Sequence, residues 1–290
     1  MSYFAIAGLQ LALGQGDNLS RLEAETRLTC QRFPWVDMVI FSELAPFGSH
    51  PAFREPMPGP TEERLQALAR ELQIWLVPGS MYERAGDQVF NTVQVINPQG
   101  EIVSRYRKMY PFQPYEQGIS AGNEFVVFDV PDVGRFGVSI CYDMWVPETI
   151  RAMVWQGAEV IIHPTMTGTL DRELECCMAR THAVTNQCYF VDINSAGNLG
   201  NGQSIVVGPD GDILYQAGTT EQVIALELDL NRVRRSRERG VLGLGQILKS
   251  YRDHDVIFPQ YQGDRSPYLD RLDTLKVSGR AALCRKPTEL

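Results

Sequence analysis

Between Phe4 and Leu228 short apolar runs alternate with segments of helical periodicity, and this alternation restricts the fold more than any other feature of the chain. Short apolar runs bounded by turn residues read as strands, and apolar residues three or four apart read as one face of a helix. Phe4–Leu11, Val36–Ser42, Ile74–Glu83 and Phe90–Asn97 are expected strands. A helix is expected over Leu19–Phe33, with Asn18 as its N-cap and Leu19, Leu22 and Leu28 as apolar positions. A second is expected over Pro60–Gln73, with Leu65, Leu68, Ala69 and Leu72 on one face. Pro98-Gln99-Gly100 turns the chain into a further strand, Glu101–Tyr106. Strands alternating with helices imply an α/β layered fold.

The second half repeats the scheme. Gly134–Ile140 is a short buried strand, and Pro147–Gln156 is a helix with proline in its first turn. Val160–His163, a helix near Asp171–Gln187 and Tyr189–Asn194 follow, and Ser204–Val207, Asp212–Gln216 and Val223–Leu228 complete the sheet. The segments Val95–Ile102 and Val206–Ile213 echo one another as hairpins with a Pro-x-Gly turn. One such hairpin in each half points to two similar sheets packed face to face. After Asn231 the character changes. Arg232, Arg234, Arg235, Arg237 and Arg239 form a basic run, read as a solvated helix face, and Leu242-Gly243-Leu244-Gly245 is too rich in glycine for a good helix. No low-complexity linker intervenes, so the expected organisation is one domain over residues 1–230 with a C-terminal extension over 231–290.

Composition removes several function classes. A chain of 290 residues, 44% hydrophobic and 21% charged, can bury a large core. Its net charge of −8 and pI of about 5.1 argue against nucleic acid or an anionic membrane as the main partner. No run approaches the roughly 20 apolar residues of a membrane span, and no N-terminal segment has signal-peptide character, so the cytoplasm is the expected location. The six cysteines are scattered and form no Cys-x-x-Cys pair, and the four histidines lack ligand spacing. Neither a disulfide framework nor a metal site is expected. No Walker loop and no Gly-x-Gly-x-x-Gly follows a strand, so no nucleotide cofactor is expected.

Three residues at strand ends carry chemistry. Cys141 follows the apolar run Phe136–Ile140 and shortly precedes a helix start. Free backbone N–H groups there favour thiolate over thiol and can hold an oxyanion. Glu43 ends the run Val39–Ser42, where partial burial raises a carboxyl pKa towards the range useful for proton transfer. Lys108 closes Arg105-Tyr106-Arg107, and a fixed ammonium stabilises a developing oxyanion. Each also has a bland reading: an inert buried thiol, a surface carboxylate, one more exposed cation.

Together these residues, in the order Glu, Lys, Cys, resemble the catalytic set of the nitrilase superfamily of carbon–nitrogen hydrolases. The resemblance covers residues 4 to about 230 and rests on Phe41-Ser42-Glu43, Tyr106-Arg107-Lys108, Ile140-Cys141-Tyr142-Asp143 and Pro147-Glu148-Thr149-Ile150-Arg151. It implies a four-layer α-β-β-α sandwich, no cofactor, a homodimer or larger assembly, and hydrolysis of a non-peptide C–N bond through a thioester. Glu43 would be the base, Lys108 the oxyanion stabiliser with the N–H of Tyr142, and Cys141 the nucleophile. Lys108–Glu116 is similar to the matching segment of short-chain aliphatic amidases and formamidases, where a second glutamate positions substrate; that role would fall to Glu116. The residues after Cys141 depart from the Asp-Asp-Gly of that branch, and Trp145-Val146-Pro147-Glu148 is closer to N-carbamoyl amine hydrolases. Cys141-Tyr142-Asp143 in place of Cys-Trp-Glu favours an amide or carbamoyl substrate over a nitrile. Tyr142, Trp145, His163 and Pro164 are the expected substrate-binding residues.

Two other readings stay open at this point. His163 and Asn194 also lie at strand ends, so a papain-like Cys141-His163-Asn194 site fits the chain order, although Gly-Ser-Cys-Trp is absent. A homologue with a dead site could serve as a binding module, but the full set Glu43, Lys108, Glu116 and Cys141 argues against it.

Overall fold

The computed structural model describes residues 3–50, 52–263, 266–272 and 274–277; Cys284 and the expected extension beyond residue 277 lie outside them. The chain opens with β1 (Tyr3–Gln10), α1 (Leu19–Arg32), β2 (Met38–Phe41), β3 (Arg54–Glu55), α2 (Pro60–Leu72) and β4 (Trp75–Val77). β5 (Ser80–Ala85), β6 (Gln88–Ile96), β7 (Ile102–Arg107), β8 (Val126–Val130) and β9 (Gly134–Val138) follow. A 3-10 turn over Cys141–Trp145 leads into α3 (Pro147–Trp155), β10 (Val160–Thr165), α4 (Arg172–Asn186) and β11 (Tyr189–Asn194). β12 (Ile205–Val207), β13 (Ile213–Gln216), β14 (Gln222–Asp229), α5 (Leu230–Arg239) and α6 (Ile247–Asp253) close the sequence of elements.

Among the described residues the strands form two sheets. One runs β14-β1-β2-β4-β6-β5-β3, with β7 also paired to β6, and the other runs β13-β12-β11-β10-β9-β8. Strand alternation assigns the layers. Phe4 and Ile6 of β1, Met38 and Ile40 of β2, Val160 and Ile162 of β10, and Val191 and Ile193 of β11 meet in the core between the sheets. Their neighbours Ala7, Leu9, Val39 and Phe41 face the other way, onto Leu22 of α1 and Leu65, Leu68 and Ala69 of α2. Ile161 and Phe190 likewise face Ile150 and Met153 of α3 and Ala179 and Ala183 of α4. Helices therefore cover both outer faces, and the architecture is the expected α-β-β-α sandwich. The sheets approach closely at Gly8, where a Cβ would lie 2.2 Å from Cδ1 of Ile193.

Strand direction sets where a site can form. β1, β2 and β4 are parallel, as are β9, β10 and β11. β7 is antiparallel to β6, and β6 to β4, so β7 runs in the same sense as β2. The C-terminal ends of β2, β7, β9 and β10 thus gather at one edge of the sandwich.

Several sequence expectations are corrected. The strand expected over Ile74–Glu83 is broken at Gly79, whose φ of +76° favours glycine. A Cβ there would meet the carbonyl oxygen of Ser42 at 2.0 Å, so this break lets the chain close against the segment that carries Glu43. β8 is a further strand, absent from the expected set. β14 does not complete the second sheet: it pairs antiparallel with β1 and ties the two halves together. At α1 the Asn18 side chain does not cap the helix; it donates to the carbonyls of Gly14 and Ala45, while Asp17 accepts from the N–H of Leu19. Leu19 and Leu22 are buried as expected, but Leu28 is exposed, and Thr26 and Thr29 complete the buried face of that helix. The basic run is a largely solvated helix face, as expected, with Arg234, Arg235 and Arg239 exposed, but its cations are also engaged. Arg232 pairs with Asp212, Arg234 with Glu159 and Arg235 with Asp229, and Arg237 donates to the carbonyls of Gln187 and Ala158. Leu230 and Val233 of α5 are fully buried, which fastens the start of the extension to the body.

Candidate active site

Glu43 stands two residues beyond β2, Lys108 one beyond β7, and Cys141 three beyond β9. All three are buried, and Lys108 is only 1% exposed. Nζ of Lys108 donates to Oε1 of Glu43 at 2.8 Å and to Oε2 of Glu116 at 2.7 Å. Asn91, in the middle of β6, donates its side-chain amide to the same two carboxylates, at 2.8 and 3.2 Å. One ammonium and one amide therefore hold two carboxylates side by side. Glu116 also accepts from the N–H of Phe112, which folds the proline-containing loop back over the cluster. A buried charge is tolerable only when paired and hydrogen-bonded, and each member of this cluster is.

Cys141 sits where β9 gives way to the 3-10 turn, with φ at +45°. A non-glycine residue in this left-handed region costs about 1–3 kcal/mol and persists only where surrounding contacts impose it. Asp143 supplies those contacts. Its Oδ2 accepts from the N–H of Ile140 at 2.9 Å and from the hydroxyl of Tyr106 at 2.7 Å, and its Oδ1 accepts from the N–H of Tyr110 at 2.8 Å. One carboxyl group thus braces the residue before Cys141 against the residues flanking Lys108. Burial raises the Asp143 carboxyl to about 6 despite these three donors.

The charge states favour general-base chemistry. Burial raises Glu43 above the ordinary glutamate range, the nearby carboxylate of Glu116 adds to this, and the ammonium of Lys108 opposes it. Burial and the Glu43 carboxylate also push the Cys141 thiol well above its usual value, against the pull of Lys108. This opposes the pull of the backbone N–H groups towards thiolate. Both groups are thus pushed towards their protonated forms by burial, with the Glu43 carboxyl beside the Cys141 side chain.

A cleft of about 1080 Å³ opens beside this cluster, lined by Phe112 and Tyr115 from the Glu116 loop and by residues around the start of α4. The Phe112 ring lies 4.9 Å from that of Tyr142, and Tyr142 lies 6.0 Å from Trp145. Sγ of Cys141 lies 3.8 Å from Oγ1 of Thr167, the residue just before the cleft-lining Gly168. Among the described residues no group of three or more His, Cys, Asp or Glu side chains is disposed to hold a metal ion.

The family model for carbon-nitrogen hydrolases matches residues 5–238. The chain belongs to this family. Human omega-amidase NIT2 is 28% identical over 261 residues, covering 82% of this chain and 93% of the relative. Among solved structures, Nit3 of Saccharomyces cerevisiae, of branch 10 of the nitrilase superfamily, superposes with a TM-score of 0.75 at 29% identity, covering 82% of this chain and 94% of that one. A carbon-nitrogen hydrolase from Helicobacter pylori shares the fold, with a TM-score of 0.78 at 24% identity over 91% and 99% of the two chains.

Within this carbon-nitrogen hydrolase the expected residues separate into two groups. Glu43, Lys108, Glu116 and Cys141 come together, with the rings of Tyr142 and Trp145 beside them. His163 and Pro164 lie in β10, where both are buried; like Glu43, Lys108, Glu116 and Cys141, they are not among the residues that line the cleft. His163 is fully buried, shares a 2.7 Å hydrogen bond with the Ser139 hydroxyl, and is pushed well below its usual pKa by burial. It supports the strand beneath Cys141. Asn194 does not pair with it: its side chain clamps Thr167, accepting from the N–H at 2.8 Å and donating to the carbonyl at 2.9 Å. The papain-like arrangement is therefore not formed. Sequence reasoning missed Asn91, Thr167, Arg172 and Glu175. Asn91 had a weak signal, one of three polar residues with Thr92 and Gln94 in a strand buried from Phe90 to Ile96, where each polar group needs a partner.

Proposed function

We propose that this chain hydrolyses a small linear amide or carbamoyl compound through a Cys141 thioester, releasing ammonia or an amine. The observation that carries this reading is the Glu43–Lys108–Glu116 cluster beside the buried Cys141 side chain. Glu43 takes the thiol proton as sulfur attacks the carbonyl carbon. The oxyanion so formed is held by Lys108 and the N–H of Tyr142, a first-turn group that has no partner within its own turn. Glu43 then protonates the leaving nitrogen, the C–N bond breaks, and the thioester remains. Water attacks the thioester with Glu43 again as base, which frees the acid and restores the thiol. Glu116 accepts a hydrogen bond from the substrate N–H₂ and keeps the carbonyl carbon within reach of sulfur. The omega-amidase relatives support the amide as substrate class. No cofactor enters any step.

The division into a hydrolase domain over 1–230 and an extension over 231–290 belongs to the same reading, with the extension at a homo-oligomer interface. Exposed Leu242, Leu244, Val256 and Ile257 support such an interface. A reducing compartment such as the cytoplasm suits the free thiols of Cys141, Cys176, Cys177 and Cys188. No helix among the described residues is long and apolar enough to cross a membrane.

The deciding experiment measures ammonia release from formamide, acetamide, propionamide, N-carbamoyl amines and a simple nitrile, side by side, with wild type and Cys141→Ala. Turnover of amides or carbamoyl compounds that vanishes in Cys141→Ala is expected. Turnover of the nitrile alone, or an active Cys141→Ala, would overturn the reading.

A further inference from the structure

Asn91 shares a face of β6 with Val93 and Val95, which belong to the core between the sheets. It is a fully buried amide in line with an apolar layer. Its backbone carbonyl accepts from the N–H of Lys108 at 2.8 Å. Its side-chain Nδ2 donates to Oε1 of Glu43 at 2.8 Å and to Oε1 of Glu116 at 3.2 Å. Asn91 therefore touches all three charged members of the cluster. Its own Oδ1 is buried and has no hydrogen-bond partner among the described residues. An unpaired buried acceptor is destabilising, so the amide is turned to serve the two carboxylates while its carbonyl goes unserved.

Carboxyl groups that occupy one site tend to share a proton, and one of them then ionises late. Nδ2 carries two hydrogens and no acceptor, so each carboxylate receives a donor of its own from the same amide. Such a hydrogen bond is stronger to a carboxylate than to a carboxylic acid, and the amide favours the ionised form of both. The choice of oxygen on Glu43 matters as well. Lys108 and Asn91 both donate to Oε1, so Oε2 is the oxygen left for the proton of Cys141.

Resting on the proposed amide hydrolysis, we propose that Asn91 is a positioning residue whose amide keeps Glu43 and Glu116 as two separate carboxylates and leaves Oε2 of Glu43 to meet the thiol. It acts through Glu43 and takes no part in bond breaking. The titratable groups around Glu43 are Lys108 after β7, Glu116 in its loop and Cys141 after β9, with the buried Tyr82 of β5 within the field of both carboxylates. Burial and Glu116 push Glu43 up, Lys108 opposes them, and the amide adds to that opposition.

The test follows the acid limb of kcat/KM for an amide that the wild type turns over. Asn91→Leu removes the donor at similar volume. The limb should move up by about one pH unit, because a hydrogen bond to a charged group is lost. Above the limb, kcat/KM should fall by about tenfold as Glu43 loses its orientation. Asn91→Asp keeps the shape and adds a third carboxyl, so the limb should move further up. Val93→Ala, on the same face of β6, should lower the melting temperature through a core cavity and leave the limb in place. A limb that stays put in folded Asn91→Leu or Asn91→Asp, or that moves equally in Val93→Ala, would reduce Asn91 to a packing role. The wild type gives a reading that depends on no variant: the side-chain amide signals of Asn91 in 1H–15N spectra should titrate together with Glu43. Signals that do not respond across the acid range would also overturn this inference. Failure of the wild type on every amide would instead sink the proposed function, while the spectra would still read the bond between Asn91 and Glu43.

Discussion

Two buried clusters flank Cys141, and each places one cation between two carboxyl groups. Lys108 stands between Glu43 and Glu116, and Arg172 between Glu175 and Asp192. The net charge is the same, yet the two are built for different work. Lys108 is a compact ammonium on a flexible stem, and both of its partners lie in connecting segments, with Glu43 beside the thiol. Arg172 is a planar fork whose partners belong to α4 and β11, rigid elements of the scaffold. The first cluster can shift protons and charge as bonds change at Cys141. The second fixes the start of α4 and the wall of the cleft. Charge count alone does not mark a catalytic group; its neighbours and the rigidity of their supports do.

The largest effect expected from this contrast is on rate. Lys108→Met should lower kcat/KM by about 100- to 1,000-fold, because an oxyanion stabiliser is lost. Arg172→Met should chiefly cost stability, about 3–5 kcal/mol, because two buried carboxyl groups lose their cation. Amide turnover and chemical denaturation, measured on both variants, check the pair. An active Lys108→Met together with a stable but inactive Arg172→Met would reverse the assignment.

The pH dependence sharpens the same contrast. Glu43 must be ionised to accept the thiol proton, and its pKa lies above its ordinary value of 4.5. Turnover should therefore fall as the pH drops through that raised value. Glu116 is among the causes of the rise, so in Glu116→Gln the acid limb of the kcat/KM profile should move to lower pH, on top of a sharp loss of rate. Glu175 is not among those causes, and Glu175→Gln should leave that limb in place. A limb that moves with Glu175 and not with Glu116 would assign the base to the wrong cluster.

A smaller effect is expected at the brace between the nucleophile and Lys108. Asp143→Ala leaves the N–H groups of Ile140 and Tyr110 and the hydroxyl of Tyr106 without their acceptor. A buried group left unsatisfied costs about 1–3 kcal/mol. The sign with pH follows from the raised pKa. The folded protein holds the Asp143 proton more tightly than the unfolded chain, so its contribution to stability is fully present below 3.8 and is lost as the pH rises through about 6. The stability gap between wild type and Asp143→Ala should be wider at pH ~5.5 than at pH ~7.5 in thermal melts.

What the sequence made legible follows the range of the interactions involved. Strands such as β2 and β4 are apolar on both faces, so their composition announced them. Glu43 and Cys141 follow buried apolar runs, Lys108 follows the half-exposed β7, and their residue types in that order pointed to a shared site. Arg172 and Glu175 were hidden because a charged residue on a helix reads as solvated until the strand carrying Asp192 is placed beside it. β14 was misplaced for a related reason: its partner β1 lies at the opposite end of the chain, and apolar alternation does not name a distant partner. The burial that pushes the Cys141 thiol up was not legible either, because local pattern does not quantify it.

The smallest effect is expected where the two clusters meet. The Thr167 hydroxyl donates to Oε1 of Glu175 at 3.1 Å and lies 3.8 Å from the sulfur of Cys141. With its own proton directed at Glu175, this oxygen is free to accept from the thiol, so it orients sulfur without altering charge. The second cluster thus reaches the nucleophile through this contact and through the field of the Glu175 carboxylate, which helps to push the Cys141 thiol up. Thr167→Val keeps the shape and removes the hydroxyl. A single neutral hydrogen bond contributes about 1 kcal/mol, so kcat/KM should fall by only about fivefold. Thr167→Ser restores the hydroxyl and should recover most of the loss, which a mere packing role for the threonine methyl would not allow. A fall in Thr167→Val as large as that in Lys108→Met would mean that the cluster around Arg172 shares in the chemistry, and that the division drawn between the two clusters is wrong.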